Sequence, residues 1–264
     1  MLEWLRRIRD RIQQDMQLRL MGRGAPLRPI GPRLPLGWFR DTLALYARVF
    51  RRGAGLALRN WWVGLVVIVY DVLLGIVAVV TAPLGVVGGL LTYLALVACF
   101  SSWLALVAQV IQTGRIRLED VPTSFATYFG DLLNVGFVFW GLQLIWTYVL
   151  APVPFVQIVF GLAVFVFLNA VPELVYVGRR GAAEVLVESY QFIGENWIEW
   201  FPANLALLAC VLGALELPAG PLGVVGAVGF GVVLYFAAIV RGLLFQELST
   251  SSRRGREFWR RAAG

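Results

Sequence analysis

Six apolar stretches, each about 20 residues long, constrain this chain more than any other feature of its sequence. They occupy residues 61–81, 84–111, 131–150, 154–177, 200–217 and 222–245. A helix of this length crosses the hydrocarbon core of a bilayer, because its backbone groups bond to one another inside lipid. A mean hydropathy of +0.75 with only 15% charged residues excludes an ordinary water-soluble domain. The sequence therefore predicts an all-α polytopic membrane protein with six transmembrane helices.

The connections between these stretches predict three helical hairpins. Each odd stretch is joined to the next by a very short connector rich in proline and glycine, at 81–85, 150–154 and 217–222. Proline cannot continue a helix interior, so each connector ends one helix and begins the next.

The basic residues predict the orientation of the bundle. All 23 are arginine, with thirteen in 1–60, two in 113–130, two in 178–197 and six in 241–264. None lies in the three short connectors. Because cytoplasmic loops of membrane proteins carry the excess of positive charge, both termini are predicted to be cytoplasmic, and the connectors face the other side.

Each odd stretch is preceded by a segment that looks like a cytoplasmic helix lying in the membrane interface. The arginines of 38–52 that share one helical arc are Arg40, Arg48, Arg51 and Arg52. In 181–196 the polar stripe is formed by Glu184, Glu188, Gln191 and Glu195. The shorter segment 119–130 has Pro122 at a position that suits a first helical turn.

Three domains follow: a cytoplasmic arm at 1–37, the six-helix transmembrane domain at 38–248 and a basic cytoplasmic tail at 249–264. The arm joins an amphipathic helix to prolines at every third position from 26 to 35, a spacing typical of polyproline II. It is either a spacer, a lipid-binding element or a device that reaches a neighbouring subunit. The candidate partner or lipid contacts are Arg6, Arg7, Ile8, Ile12, Met16, Arg40, Arg48, Arg51 and Arg52.

Asp71 is the one carboxylate deep in a predicted span, about ten residues past Trp61 and Trp62. Its insertion costs about 2.5–3.5 kcal/mol, which the leucine, isoleucine and valine residues around it offset. Such a residue is a functional candidate and is expected to face the bundle interior. The polar residues that could complete an intramembrane site with it are Asn134, Gln143, Asn169 and Glu173. The two interpretations are a proton, ion or substrate role and a structural hydrogen bond between helices.

Other patterns predict packing and anchoring. Gly223, Ala227 and Gly231 form a ladder of small residues, which is typical of close helix packing. Asn60 and Asn196 each precede a tryptophan at the entry to a span, where asparagine caps a helix start. The tryptophans Trp61, Trp62, Trp197 and Trp200 are expected at the level of the lipid headgroups.

The composition excludes much chemistry. The chain has no histidine and no lysine, so a His-ligated haem, a Ser-His-Asp triad and a lysine Schiff base are all excluded. Cys99 and Cys210 lie in apolar runs, which argues against a disulfide framework or a Cys-only metal cage. We expect no cofactor, no metal and no enzymatic activity, and the pattern contains nothing that indicates nucleic-acid binding.

The entry Ser189-x-x-x-Ile-x-x-Asn-Trp197, together with the arginine-rich segment that ends in Asn60-Trp61, resembles a diffuse group of bacterial six-span membrane proteins. The group includes the membrane domain fused to some glycerophosphodiester phosphodiesterases. The resemblance covers about 38–248 and implies a fold and a bacterial cytoplasmic (inner) membrane location, with no defined activity.

The functional expectation is a non-catalytic integral membrane subunit or scaffold of a larger assembly, in contact with lipids and with other membrane subunits. The alternative is a permease or channel component that moves a small solute or ion, with Asp71 as its buried carboxylate.

Overall fold

The computed structural model describes residues 36–116, 118–178, 182–215 and 223–250, and within these ranges every regular element is helical. The predicted arm and basic tail lie outside the described residues, apart from the last two arm residues and the first two tail residues. The helices are α1 (Leu36–Arg59), α2 (Trp62–Thr81), α3 (Val86–Thr113), α4 (Val121–Thr127), α5 (Phe129–Leu144), α6 (Pro154–Phe167), α7 (Ala182–Leu215) and α8 (Gly223–Thr250). Short 3-10 turns at Ala82–Leu84 and Leu118–Asp120 and π-helical turns at Ile145–Val149 and Leu174–Gly178 complete the description.

Five segments of the described chain are long and apolar enough to cross a membrane. They are Trp62–Leu84, Val86–Thr113, Phe129–Val149, Pro154–Gly178 and Gly226–Thr250. The predicted span 200–217 falls on the second half of α7, and its last two residues lie outside the described ranges. The all-helical class is thus confirmed, and the described residues contain five candidate membrane spans.

The core lies around α3 and α8. The spans of these two helices are largely buried inside the bundle, whereas those of α2 and α5 are mostly exposed on its outside. Fully buried side chains such as Leu106 and Val107 of α3 and Leu243 and Leu244 of α8 form the centre. In a bilayer the exposed apolar sides of the outer helices meet lipid or another protein, so their exposure is compatible with the membrane.

Glycines allow two backbone features that other residues disfavour. Gly85 has φ 56° in the short turn between α2 and α3, and Gly114 has φ 76° at the end of α3. Both values lie in the left-handed region, where a glycine has no Cβ to clash with the backbone. The Gly114 carbonyl also accepts a hydrogen bond from the Asn60 side chain, at 3.1 Å, which ties this turn to the junction between α1 and α2.

Helices α2 and α8 approach each other closely at a glycine. A Cβ atom added at Gly231 would lie 2.6 Å from the carbonyl oxygen of Gly64. One member of the predicted small-residue ladder therefore packs against a neighbouring backbone as expected, whereas Ala227 is exposed.

This contact predicts a clear contrast between two glycine-to-alanine variants. Gly231→Ala forces the two backbones apart and should lower the free energy of unfolding by about 1–3 kcal/mol. Gly75→Ala in α2 is the control, since nothing lies within 4 Å of its added Cβ, and alanine favours a helix. Unfolding in detergent can be followed by the exposure of the buried Cys99 thiol, with the exposed Cys210 replaced by serine. Equal unfolding temperatures for the two variants would contradict the close approach.

The fourth candidate span contains a break. Helix α6 ends at Phe167, residues 168–170 form a turn, and a short helical segment Val171–Glu173 then leads into the π-helical turn. Pro172 has no backbone N–H and its ring disfavours a continuous helix through this point. The break therefore coincides with the sequence Asn169-Ala-Val-Pro-Glu173.

Helix α7 runs without interruption for 34 residues, through the position at which the sequence predicts the start of a new helix. Asn196 does not cap a helix start; it lies in the helix interior, and its side-chain amide donates to the Phe192 carbonyl at 3.1 Å. Asn60 also makes no cap, because its amide donates to the carbonyls of Leu56 and Gly114. Both cap predictions were wrong, since each side chain bonds to a backbone carbonyl rather than to a helix N–H.

Candidate functional site

Arg241 of α8 extends its side chain to the break in the fourth span. Its Nε donates to Oε1 of Glu173 at 2.6 Å, and its Nη2 donates to Oε2 of the same carboxylate at 2.9 Å. The Glu173 side chain is only 3% exposed and that of Arg241 is 22% exposed. Two parallel bonds of this kind engage both carboxylate oxygens, so the two side chains form a bidentate ion pair.

Two further residues complete what we call the arginine site, which consists of Arg241, Glu173, Asn169 and Trp200. Nη2 of Arg241 donates to the backbone carbonyl of Asn169 at 2.7 Å. The indole N–H of Trp200 donates to Oδ1 of Asn169 at 2.9 Å. The guanidinium carbon also lies 5.2 Å from the centre of the Trp200 ring, within the range of a cation–π contact. The site thus joins α8, α7 and both sides of the helix break.

The location of the arginine site in an apolar bundle explains why its polar groups are paired. A turn inside a span leaves backbone carbonyls without helical partners, and lipid supplies no water to bond them. The guanidinium of Arg241 supplies a donor for one such carbonyl, and Glu173 neutralises the charge this brings into the interior. The polar groups of the site therefore bond mainly to one another, as expected of a structural clamp.

A second contact links α1 to α7 near the arginine site. The Tyr46 hydroxyl donates to the backbone carbonyl of Glu199 at 2.6 Å. Burial, followed by the negative charge of Glu199, raises the pKa of Tyr46 to about 12. The phenol therefore stays protonated, and remains a donor, across the whole physiological pH range.

A cluster of hydroxyl groups connects α2, α3 and α4. The Tyr70 hydroxyl lies 2.5 Å from Oγ of Ser102, and Oγ of Ser102 lies 2.5 Å from Oγ of Ser124. Ser124 in turn donates to the backbone carbonyl of Val121 at 2.5 Å. Because the chain of hydroxyls ends at a carbonyl, which cannot pass a proton on, it acts as an interhelical hydrogen-bond network.

Two tyrosines extend the polar interior toward α8. The Tyr128 hydroxyl donates to the Tyr176 carbonyl at 3.1 Å, and the Tyr176 hydroxyl donates to the Ala238 carbonyl at 3.1 Å. Tyr176 is fully buried. These bonds fix the π-helical turn that follows the break against α8, next to Arg241.

A cavity of about 390 Å³ lies between α3, α5 and the helix break. Its walls are almost entirely apolar, and Asn169 and Tyr93 are the polar residues that line it. A second apolar groove of about 430 Å³ lies between α6 and α7. Neither contains the charged groups of the arginine site.

The structure places the predicted site residues in two groups. Asn169 and Glu173 come together at the arginine site. Asp71, Asn134 and Gln143 are exposed on the outside of the described bundle, and no hydrogen bond or ion pair joins the Asp71 side chain to any other described residue. The expectation that Asp71 faces the bundle interior was wrong, because α2 turns this side chain away from both α3 and α8.

Sequence reasoning missed Arg241 and Trp200. Arg241 was counted among the cytoplasmic arginines, although it lies inside the predicted span 222–245. An arginine within a span is itself a signal for a buried partner. Trp200, expected at the headgroups, is fully buried, whereas Trp197 is 54% exposed.

In the described residues, no three His, Cys, Asp or Glu side chains cluster closely enough to hold a metal ion. No protein family, curated protein or solved structure matches the chain. The resemblance to the six-span bacterial group therefore stays a prediction.

Proposed function

We propose that this protein is a non-catalytic integral membrane subunit or scaffold of a larger membrane assembly. The observation that carries the proposal is the exposure of Asp71 on the outside of α2, within a candidate span. A carboxylate in contact with lipid chains is costly, so a protein surface that covers it is the favoured environment. The polar groups of the arginine site bond mainly to one another, and this supports a non-catalytic role.

The proposed architecture has six spans in three hairpins, each preceded by an interfacial amphipathic helix. The span that brings the five candidates to six is the second half of α7, the fifth in chain order, which continues from the segment 181–196 into the apolar residues 200–217. The exposure of the arginines of α1 supports contact of this helix with anionic headgroups: they are Arg40, Arg48, Arg51 and Arg52. The arm contacts Arg6, Arg7, Ile8, Ile12 and Met16 lie outside the described residues and remain part of the proposal.

The location we propose is the bacterial inner membrane with both termini in the cytoplasm. A single cysteine at Leu84 or Val153, both exposed in short turns, should react with an impermeant thiol reagent from outside. A cysteine at the exposed Thr113, at the other end of α3, is the control and should react only after the membrane is permeabilised. Leu84 is preferred to Gly85 because Gly85 has a positive φ, and a cysteine with this φ would strain the backbone. Labelling in the reverse pattern would overturn the orientation.

The subunit role is tested by replacing Val72 with a photo-reactive amino acid in cells. Val72 is 58% exposed and lies beside Asp71, and Ile158 of α6, which is 66% exposed, is the matched control. We expect a protein adduct of defined mass from Val72 and lipid adducts from Ile158. Lipid adducts alone from both positions would refute the proposal, since they would show that nothing but lipid covers Asp71.

The second candidate is a permease or channel component, favoured by the helix break beside the 390 Å³ cavity. Asp71 does not line this cavity, so the variant that distinguishes the two candidate functions must change the cavity wall. We choose Val171→Trp, which fills the space next to Asn169. The permease is supported if Val171→Trp abolishes solute flux in proteoliposomes and Ile158→Trp, at an exposed position, leaves the flux intact. No flux of any solute by the parent protein would exclude it.

A further inference from the structure

The outward face of α2 presents an acidic group in an otherwise apolar surface. Asp71 is exposed near the middle of the helix, and Val72, Ile76 and Val79, which belong to the broad exposed surface of α2, are 57–75% exposed. Gly75, one helical turn after Asp71, has nothing within 4 Å of an added Cβ. A second helix can therefore approach the α2 backbone closely beside the carboxylate.

We infer that this face docks a transmembrane helix of a different protein chain, and that this helix carries a basic side chain at the depth of Asp71. The inference rests on the proposed function and adds the chemistry of the partner. A cation in the span of the partner would form an ion pair that neutralises the carboxylate, so the two charges would be tolerated in the membrane together.

The charges of this chain argue against a second copy as the occupant. In the five candidate spans that the structure describes, Arg241 is the one basic residue, and it is bound to Glu173. Two copies packed through α2 would bring Asp71 against Asp71, with no cation from either helix. Charge complementarity thus requires a basic residue from another sequence.

The experiment uses the purified full chain in liposomes and a synthetic transmembrane helix of leucine and alanine with one central arginine. A second helix with leucine at that position is the matched probe. Binding is measured by energy transfer between a dye on the chain and a dye on the helix. We expect the arginine helix to bind about tenfold or more tightly than the leucine helix.

Three variants at Asp71 and a control at Val72 separate charge from shape. Asp71→Glu should keep the preference for the arginine helix, and Asp71→Asn should remove it. Asp71→Arg should reverse it, so that a helix with a central glutamate binds better than the arginine helix. Val72→Leu leaves the charge and the apolar surface in place and should behave like the parent chain.

Equal binding of the two helices by the parent chain would overturn the inference, and so would an undiminished preference in Asp71→Asn. Photo-crosslinking at Val72 distinguishes this failure from that of the proposed function. An adduct between two copies of this chain would refute a basic partner while leaving the subunit role intact. Lipid adducts alone would refute both.

Discussion

Arg241→Leu is expected to lower the free energy of unfolding by about 3–5 kcal/mol, one of the two largest effects that the structure predicts. The substitution leaves the Glu173 carboxylate, whose side chain is 3% exposed, without the two bonds that neutralise it. It also leaves the Asn169 carbonyl at the helix break without the guanidinium donor. An unpaired buried charge and an unsatisfied carbonyl both favour opening of the bundle.

The control is the double variant Arg241→Leu with Glu173→Leu, which removes both charges together. Replacing a buried ion pair by apolar residues is often close to neutral, so the double variant should be more stable than Arg241→Leu alone. The readout is the temperature at which the Cys99 thiol reacts with a fluorogenic reagent in detergent, in the Cys210→Ser background. If the double variant loses as much as the sum of the two single variants, the pair is not coupled and the clamp is refuted.

The positions of the helices could be read from the sequence, because length and hydrophobicity alone define a span. The predicted span 61–81 corresponds to α2 at Trp62–Thr81, and 154–177 corresponds to the broken segment that ends at Gly178. Proline and glycine mark the turn at Ala82–Leu84 for a simple steric reason. These features depend on local chemistry and need no knowledge of tertiary contacts.

The sequence did not show in the same way which side chains point into the bundle. Helix α2 is apolar on nearly all sides, so no amphipathic pattern shows which side of Asp71 meets the bundle. The positive-inside rule counts arginines without regard to their depth, and it therefore assigned Arg241 to the cytoplasm although its carboxylate partner lies on another span. The partner of a buried charge is a long-range property, separated in this case by 68 residues.

Trp200→Ala is expected to destabilise the protein by about 3–5 kcal/mol, the loss typical of truncating a fully buried aromatic side chain. The Trp200 ring packs edge-on against Phe192, with centroids 5.1 Å apart, and it also contacts Phe245. Its N–H fixes the Asn169 side chain at the helix break, and its face lies beside the Arg241 guanidinium. The substitution therefore opens a cavity and removes two supports of the arginine site at once.

Trp197→Ala provides the matched control, because it removes the same side chain from the same helix one turn earlier. Trp197 is 54% exposed, and surface substitutions of this kind change stability by about 0.5 kcal/mol or less. Trp200→Phe separates the two contributions of Trp200, since it retains most of the packing and removes the hydrogen bond to Asn169, for a loss of about 1 kcal/mol. Similar unfolding temperatures for Trp197→Ala and Trp200→Ala would contradict the buried position of Trp200. They would instead favour the role as a headgroup anchor that the sequence predicts for both tryptophans, because in that case each ring would meet the same interface.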